Sequence, residues 1–512
     1  MTKKLLLAAG IAFMLASGLT GTAYASTQSA PTFAPYQIPP QVPPPSSPTA
    51  RWLLRGSSVT SHDAWIIVHL KGGPYQIGFQ NGYLTAQGDD YNIQTFGTPQ
   101  DRASMDEVAQ RYVWPVVPAQ YKCELRGIAD GMRAAGYTQD SLWDVVACNA
   151  YLDEACYSEP LPSSDSAART AVAALAARPQ RKGGGCSAFI ATGSATSDGR
   201  PVMGHDTWSW FPGMFMFNVM FYVQPSSGYN FTYQSAGGLI WSSLDWYENS
   251  AGLLLTETTL ADSTYTPTGL PVFVRAREAA QYDATVAQAV HTFLYRNNGA
   301  YSNEWLIGDK SGEIASLQLG DKAYDLHETR NGFFGSSNFD WGANTRAEEA
   351  AADPGWAPGP YDPSEICYAR YLRWKELEKQ YYGRIDAKVG MTMESDTFDS
   401  YLNKELPDMR DLCGETEYFT PDLPAWDSGI VGYPGGAMDG KVCTESMALH
   451  GLQSYVCWGR GSGDHFDAAA WLNANPDWAA NNGPLYVFGL QTYSADTTDH
   501  WVVLKGDHRH WH

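Results

Sequence analysis

Three consecutive glycines, Gly183, Gly184 and Gly185, run straight into Cys186, which opens an apolar segment over residues 187–192. Asp198 and Gly199 follow, a dipeptide that tolerates the positive φ a tight hairpin turn demands. An apolar return segment then covers residues 201–206. The pattern predicts a buried β-hairpin with a two-residue turn at Asp198-Gly199, its open end holding Cys186 with His205, Asp206 and Thr207 beside it. Any fold the chain adopts must accommodate this hairpin. Gly185 also places no side chain on the acyl side of the peptide bond before Cys186, so the thiol can approach that carbonyl and the backbone can take a strained geometry. Self-cleavage between Gly185 and Cys186 would release an α-amine with a reference pKa of about 7.7 to 8.0. A nucleophile and its general base would then sit on one residue. The competing reading makes Cys186 half of a disulfide and the glycines a loose linker.

Residues 1–25 carry two lysines, an apolar run over residues 5–19 and Ala23-Tyr24-Ala25 before Ser26, the three parts of a secretory signal peptide. That run is too short for a permanent span, so the chain is expected to be secreted or periplasmic, without stable membrane insertion. A net charge of −21 opposes binding to nucleic acid or to an anionic membrane surface. Export makes disulfides an expectation for the eight cysteines, Cys123, Cys148, Cys156, Cys186, Cys367, Cys413, Cys443 and Cys457. With Cys186 as nucleophile, an odd thiol is left over.

Residues 26–50 are rich in proline, serine, threonine and glutamine and read as an extended linker. Residues 51–185 form an upstream segment, mostly helical by the spacing of apolar residues over 74–86, 105–113, 119–135 and 141–155, after one strand over 64–70. This segment would be a pro-segment or small chain after cleavage, and the small, polar stretch 158–182 within it suits a processing site or a mobile loop next to the active centre. Residues 186–512 read as the catalytic domain. Strands are expected over 187–192, 201–206, 215–223, 230–234 and 252–258, helices over 272–280 and 284–295, and strands again over 304–308, 314–319 and 333–336. A helix over 364–379 and a last strand pair over 442–450 and 454–458 complete the order. Many strands are apolar on both faces, which calls for a sheet covered on both sides. An α+β protein with layers of helix, sheet, sheet and helix is the simplest packing.

Several blocks in order resemble the phospholipase B-like proteins and the related acyl-coenzyme A:6-aminopenicillanic acid acyltransferases, both N-terminal nucleophile hydrolases. They are GGGCSAFIATGSATSDGRPVMGHDTW at 183–208, residues 250–259 ending in Glu257-Thr258-Thr259, NNGAYSNEWLIGD at 297–309, Ser337-Asn338-Phe339-Asp340-Trp341 and Ala369-Arg370-Tyr371. Glycine-bearing stretches at 73–82 and 127–131 are similar to helices of the acyltransferase group. The resemblance implies a four-layer αββα sandwich, self-cleavage at Gly185-Cys186, and hydrolysis of an amide or ester by the new N-terminal cysteine. It further implies that Asp206 orients the free amine, that Asn338 holds the tetrahedral oxyanion or the amine, and that Arg370 lies near the thiol and favours thiolate. The acyltransferase group often carries an amide side chain near the strand that here ends in Glu257, Thr258 and Thr259, which leaves the makeup of the oxyanion hole open.

Each candidate has a plainer reading. His205 at the end of a buried strand can be a hydrogen-bonded core residue, and Asn338 can be a turn cap. Asp206 must be paired if buried, and the Cys186 ammonium offers that partner. Arg370 shares a helical stripe with Ile366, Cys367 and Trp374, which a solvated arginine would avoid. Thr207, Trp208, Glu257 and Thr258 are candidates for contact with substrate or oxyanion, and Trp208, Trp210, Trp241 and Trp246 for an apolar acyl pocket. No Gly-x-Ser-x-Gly elbow, His-Glu-x-x-His helix or phosphate loop occurs. The histidines of 508–512 read as a frayed tail, and neither a metal nor another cofactor is expected. The leading expectation is an autoprocessed cysteine amidase acting on a small acyl amide, its two cleaved chains staying associated. Deacylation of a lipid ester is the close alternative, and a non-enzymatic binding protein with four disulfides is the distant one.

Overall fold

The computed structural model describes residues 33–154, 185–260, 265, 266, 268–352, 361–424 and 433–506. The signal peptide, the 158–182 stretch, Gly183, Gly184, Cys156 and the histidine tail lie outside the described residues.

Strands alternate with helices along most of the chain. The upstream strands are β1 (Ser58–His62), β2 (Trp65–Gly72), β3 (Cys186–Gly193), β4 (Gly199–Trp210), β5 (Val219–Pro225), β6 (Phe231–Ser235), β7 (Trp246–Asn249), β8 (Leu254–Thr259) and β9 (Asn303–Gly308). Downstream lie β10 (Ile314–Leu319), β11 (Tyr324–Thr329), β12 (Gly332–Ser336), β13 (Phe398–Asp399), β14 (Lys404–Glu405), β15 (Gly435–Ala437), β16 (Asp439–Thr444), β17 (Gln453–Trp458) and β18 (Trp501–Lys505). A nine-stranded sheet runs β1-β2-β5-β6-β7-β8-β9-β10-β11, and a seven-stranded sheet runs β12-β3-β4-β16-β17-β18 with β15 also on β4. β13 and β14 form a separate ribbon. Within the two sheets, the β2–β5 pair is parallel.

The two sheets face one another, with β3 lying over β8, β9 and β10, and β4 over β8. Helices Pro74–Leu84, Val272–Tyr282 and Val286–Leu294 cover the outer face of the first sheet, while Ile366–Tyr381 and Ala387–Glu394 cover that of the second. This is the expected four-layer αββα sandwich. Because both faces of β3 are covered, every residue from Cys186 to Thr192 is buried, as the continuous apolar run requires.

Helix Pro74–Leu84 packs on helix Ala119–Ala134 through glycines from both. A methyl group on Gly78 or Gly82 would strike the backbone of Glu124 or Ile128, and one on Gly127 or Gly131 the backbone of Tyr75 or Phe79. The glycine-bearing blocks at 73–82 and 127–131 are thus a close helix crossing. Behind it, Arg277 Nη1 and Nη2 donate to Glu124 Oε1 and Oε2 at 2.9 and 3.1 Å, both side chains fully enclosed.

The upstream segment is built into the same architecture as the rest, since β1 and β2 form one edge of the sheet that β5 continues. Two readings of the sequence are corrected. The described part of the proline-rich linker, from residue 33, is no free tether. Tyr83 Oη donates to Pro43 O at 2.7 Å, Tyr91 Oη donates to Ala34 O, and Tyr36 Oη reaches Asn218 Oδ1 at 3.2 Å. Prolines leave backbone carbonyls without their own amides, and the tyrosines supply the donors. The β3–β4 connection is also longer than a two-residue turn: Gly193 pairs with Gly199, both at positive φ, and residues 194–198 bulge outward to reach Ile385. Asp198 Oδ1 instead accepts the Arg200 N–H at 3.0 Å.

Among the described residues, no helix is long and apolar enough to cross a membrane. Cys123, Cys186, Cys413, Cys443 and Cys457 are free thiols. Four disulfides therefore do not form, and Cys186 is not half of one.

Candidate active site

Cys186 begins β3, and the antiparallel register fixes its neighbours: Cys186 faces Thr207, Ser187 faces Asp206, and Ala188 faces His205. β8 lies across the sheet interface and brings Glu257 and Thr258. β12, which pairs with the other edge of β3, ends just before Ser337 and Asn338. Arg370 arrives from the first turns of Ile366–Tyr381, on the buried stripe the spacing indicates.

The peptide bond between Gly185 and Cys186 is gripped on both sides. Trp208 N donates to Gly185 O at 2.7 Å, so the carbonyl that a thiol would attack is already polarised. On the other side, Cys186 N donates to Asn338 Oδ1 at 2.8 Å. Asn338 holds a left-handed backbone at φ 62° and is anchored by donating Nδ2 to Thr259 O at 2.8 Å. Arg370 Nη2 donates to the same Asn338 Oδ1 at 3.0 Å, its Nη1 donates to Cys186 O at 2.8 Å, and its guanidinium lies 4.2 Å from the Trp208 ring centre. A Cβ on residue 185 would come within 2.8 Å of Asn338 Oδ1 and 3.0 Å of Arg370 Nη2. Any side chain at this position would have to push the Asn338 amide or the Arg370 guanidinium aside.

Two implied roles change. Arg370 contacts the carbonyl of Cys186 rather than its sulfur. Burial pushes the thiol well above its ordinary range, the Asp245 and Glu257 carboxylates push the same way, and the Trp208 N–H pulls back only in part. Asp206 Oδ1 accepts the Ser187 N–H at 2.8 Å, one residue beyond the Cys186 nitrogen, so Asn338 holds that nitrogen. Burial also raises the Asp206 carboxyl well above the usual carboxylate range, against the pull of the Ser187 N–H and Arg370.

The remaining candidates converge from below. His205 is held well below its ordinary pKa by burial and then by Lys441, against a weaker pull from the Glu257 backbone. The Glu257 backbone is its hydrogen-bonding neighbour. Thr207 Oγ1 accepts Lys441 Nζ at 2.8 Å, and Lys441 is paired to Asp439 at 2.7 Å. Glu257 Oε1 accepts Tyr301 Oη at 2.6 Å, and Thr258 Oγ1 lies 2.5 Å from Ser336 Oγ. The four tryptophans do not line one pocket. Trp208 and Trp210 sit in a small cluster with Cys413 and Tyr433, while Trp241 and Trp246 belong to the main core.

Asp245, Tyr301, Lys441, Asp439 and Glu394 are not legible as site residues in the sequence. Asp245 precedes β7 at φ 62°, a conformation aspartate tolerates better than most residues. Burial raises its carboxyl to about 7, with Glu257 as hydrogen-bonding neighbour. A ligand atom from each of Cys186, His205 and Asp245 lies within 4.8 Å of the others, the described set whose donors could hold a metal ion.

A buried cysteine heading a strand in an αββα sandwich, its preceding peptide bond polarised at both atoms, defines the class to which this site is to be compared. The phospholipase B family model matches residues 90–323, a span that contains Cys186, His205, Asp206, Asp245 and Glu257. The family resemblance read from the sequence is met there. An uncharacterized protein of Archaeoglobus fulgidus is 27% identical over 270 residues, which cover 48% of this chain and 41% of the relative. The chain thus spans about two fifths of that relative's length. Among solved structures, penicillin V acylase from Agrobacterium tumefaciens aligns with a TM-score of 0.33 and 15% identity, covering 53% of this chain and 83% of that one. A mutant of the conjugated bile acid hydrolase from Clostridium perfringens aligns with a TM-score of 0.29 and 11% identity, covering 53% of this chain and 89% of that one.

Proposed function

We propose that this chain is a hydrolase of acyl bonds that cuts itself between Gly185 and Cys186 and then uses Cys186 to hydrolyse a linear amide. The phospholipase B family match supports hydrolysis of an acyl bond. The observation that carries the self-cleavage is the two-sided grip on the Gly185-Cys186 peptide by Trp208 N–H and Asn338 Oδ1.

In the mature enzyme the Cys186 nitrogen is a free amine beside Asn338. It takes the thiol proton, and the sulfur attacks the acyl carbon of the substrate. The carbonyl oxygen, now an oxyanion, takes the place that Gly185 O holds against Trp208 N–H. Collapse breaks the carbon–nitrogen bond, and the leaving amine receives the proton from the α-ammonium. Water, deprotonated by the same amine, then cleaves the thioester and frees the thiol. The same steps release an alcohol from a lipid ester, the second reading, which the family name favours.

Intact mass and amino-terminal sequencing of purified protein test the proposal. The wild type is expected as two copurifying pieces with one beginning at Cys186, and Cys186→Ala as a single chain without activity. A wild-type chain that stays whole yet hydrolyses substrate would exclude the α-amine as base. A screen of N-acyl amides against lysophospholipids separates amide from ester.

A further inference from the structure

The α-amine that serves hydrolysis does not exist before the chain is cut. In the uncut chain the Cys186 nitrogen is an amide whose lone pair is delocalised, and its N–H is donated to Asn338 Oδ1 at 2.8 Å. It cannot accept the thiol proton. Maturation therefore needs another base.

We infer that His205, with Asp245 behind it, is the proton acceptor for the Cys186 thiol in the maturation step. The inference rests on the self-cleavage proposed above. Three features carry it. First, a His205 ring nitrogen, an Asp245 carboxylate oxygen and the Cys186 sulfur lie within 4.8 Å of one another, near enough for a small thiol rotation or one water to complete a proton path. Second, His205 and Asp245 are both buried beside the thiol, with the Glu257 backbone as the hydrogen-bonding neighbour of the imidazole and the Glu257 carboxyl as that of Asp245. An imidazole that donates one N–H to a backbone carbonyl keeps its other nitrogen as a proton acceptor. Third, burial and then Lys441 make an imidazolium at this place costly, and a carboxylate beside it offsets that cost. Asp245 is the carboxylate in position, and it shares a hydrogen bond with Glu257.

The step balances without a co-reactant other than water. The Cys186 S–H proton passes to His205, and the sulfur–carbon bond to Gly185 forms as the carbonyl oxygen takes the electron pair against Trp208 N–H. Collapse breaks the carbon–nitrogen bond, the Cys186 nitrogen takes the proton back from His205, and a thioester remains. Water hydrolyses it to the Gly185 carboxylate and the free thiol. His205 here touches the reacting thiol proton, whereas Asp245 is a positioning residue.

The test follows the loss of uncut full-length chain by intact mass in wild type, His205→Gln and His205→Gly, with circular dichroism confirming that each variant folds. Removal of a general base typically slows a step by about 10² to 10⁴, so both variants should mature at least roughly a hundredfold more slowly. Added imidazole should restore cutting in His205→Gly, where a cavity admits it, and not in His205→Gln, where the side chain fills the space. Asp245→Asn should slow maturation as well, with weaker rescue by imidazole. Wild-type cutting rates in the His205 variants, or slow cutting in His205→Gly that imidazole leaves unchanged, would overturn the assignment while leaving self-cleavage intact. A wild-type chain that never cuts would remove the underlying proposal instead.

Discussion

Two buried polar regions of this protein are built on opposite terms. In the seam between helices Ala119–Ala134 and Val272–Tyr282, Arg277 and Glu124 form a two-bond fork, and Arg277 Nη1 also donates to Ile240 O at 2.9 Å while Nε donates to Gln281 at 3.0 Å. Around Cys186, the His205 imidazole has only the Glu257 backbone for a hydrogen-bonding neighbour, and Asp206 Oδ2 and both Glu394 carboxyl oxygens are buried without a partner. The first region uses charge to fix a helix contact, and both oxygens of the Glu124 carboxylate are met by the guanidinium. The second holds several proton-carrying groups in one low-dielectric space, with valences left open for chemistry.

That contrast can be broken by substitution. Arg277→Ala should give the largest effect, about 3 to 5 kcal/mol of lost stability, because it strands a buried Glu124 carboxylate. Urea denaturation measures it, and a loss under about 1 kcal/mol would mean the seam is not what holds these helices. Gly185→Ala comes next. The added methyl must displace Asn338 or Arg370, an overpacking cost of about 1 to 3 kcal/mol in the folded precursor, and the disturbed grip on the peptide bond should slow maturation roughly ten- to hundredfold. Gel analysis of a time course reads it. Asp206→Asn keeps an acceptor for the Ser187 N–H but takes away the titratable carboxyl, and turnover should fall about tenfold without vanishing; a null enzyme or an unaffected one would both contradict this placement.

The smallest effect is on pH. Asp245 is raised from 3.8 to about 7 and Glu248 from 4.5 to about 8, both chiefly by burial. A carboxyl whose folded pKa lies above its unfolded one favours the fold fully while protonated in both states, and that contribution is lost as pH rises through the folded value. The melting temperature should therefore decline from pH 4 to pH 8. Asp245→Asn should flatten the lower part of that decline, and calorimetry across the range checks it.

Legibility in the sequence follows the same division. The Cys186 hairpin can be read because an uninterrupted apolar strand, a glycine run and a turn signal are local, and Arg370 because helical spacing puts it on a buried stripe. Asn338 and Glu257 come with family blocks. Asp245, Lys441 and Glu394 cannot be read, since only the stacking of one sheet on the other, the pairing of β4 with β16 and the packing of helix Ala387–Glu394 on those two strands bring them in. Long-range pairing leaves no trace in local period. The segment 442–450 reads as strand throughout, yet Thr444 caps a helix, Glu445–Leu449, by accepting the Met447 N–H at 3.1 Å. Strand β18 and the helices Ala468–Ala474, Pro476–Asn482 and Pro484–Asp496 escape a sequence reading, as do β7, β11 and the helix Ala387–Glu394. These are short or lack a clean apolar alternation. The proline-rich strap misleads for a different reason, because composition reports what a segment can do alone and not which tyrosines await its carbonyls.

The parallel pairing of β2 with β5 has a consequence for the molecularity of unfolding. If the chain is cut before Cys186, that pair joins two polypeptides, with Ile66 to Gly72 set against Val219 to Pro225 inside one sheet. Complete unfolding of the mature protein then yields two separate species where the precursor yields one. By mass action its melting temperature should rise with protein concentration, while that of the uncut Cys186→Ala chain should not. Dilution alone would then become a destabilising condition for the active form, and the open edge of β5 would be the surface left exposed when the smaller piece departs.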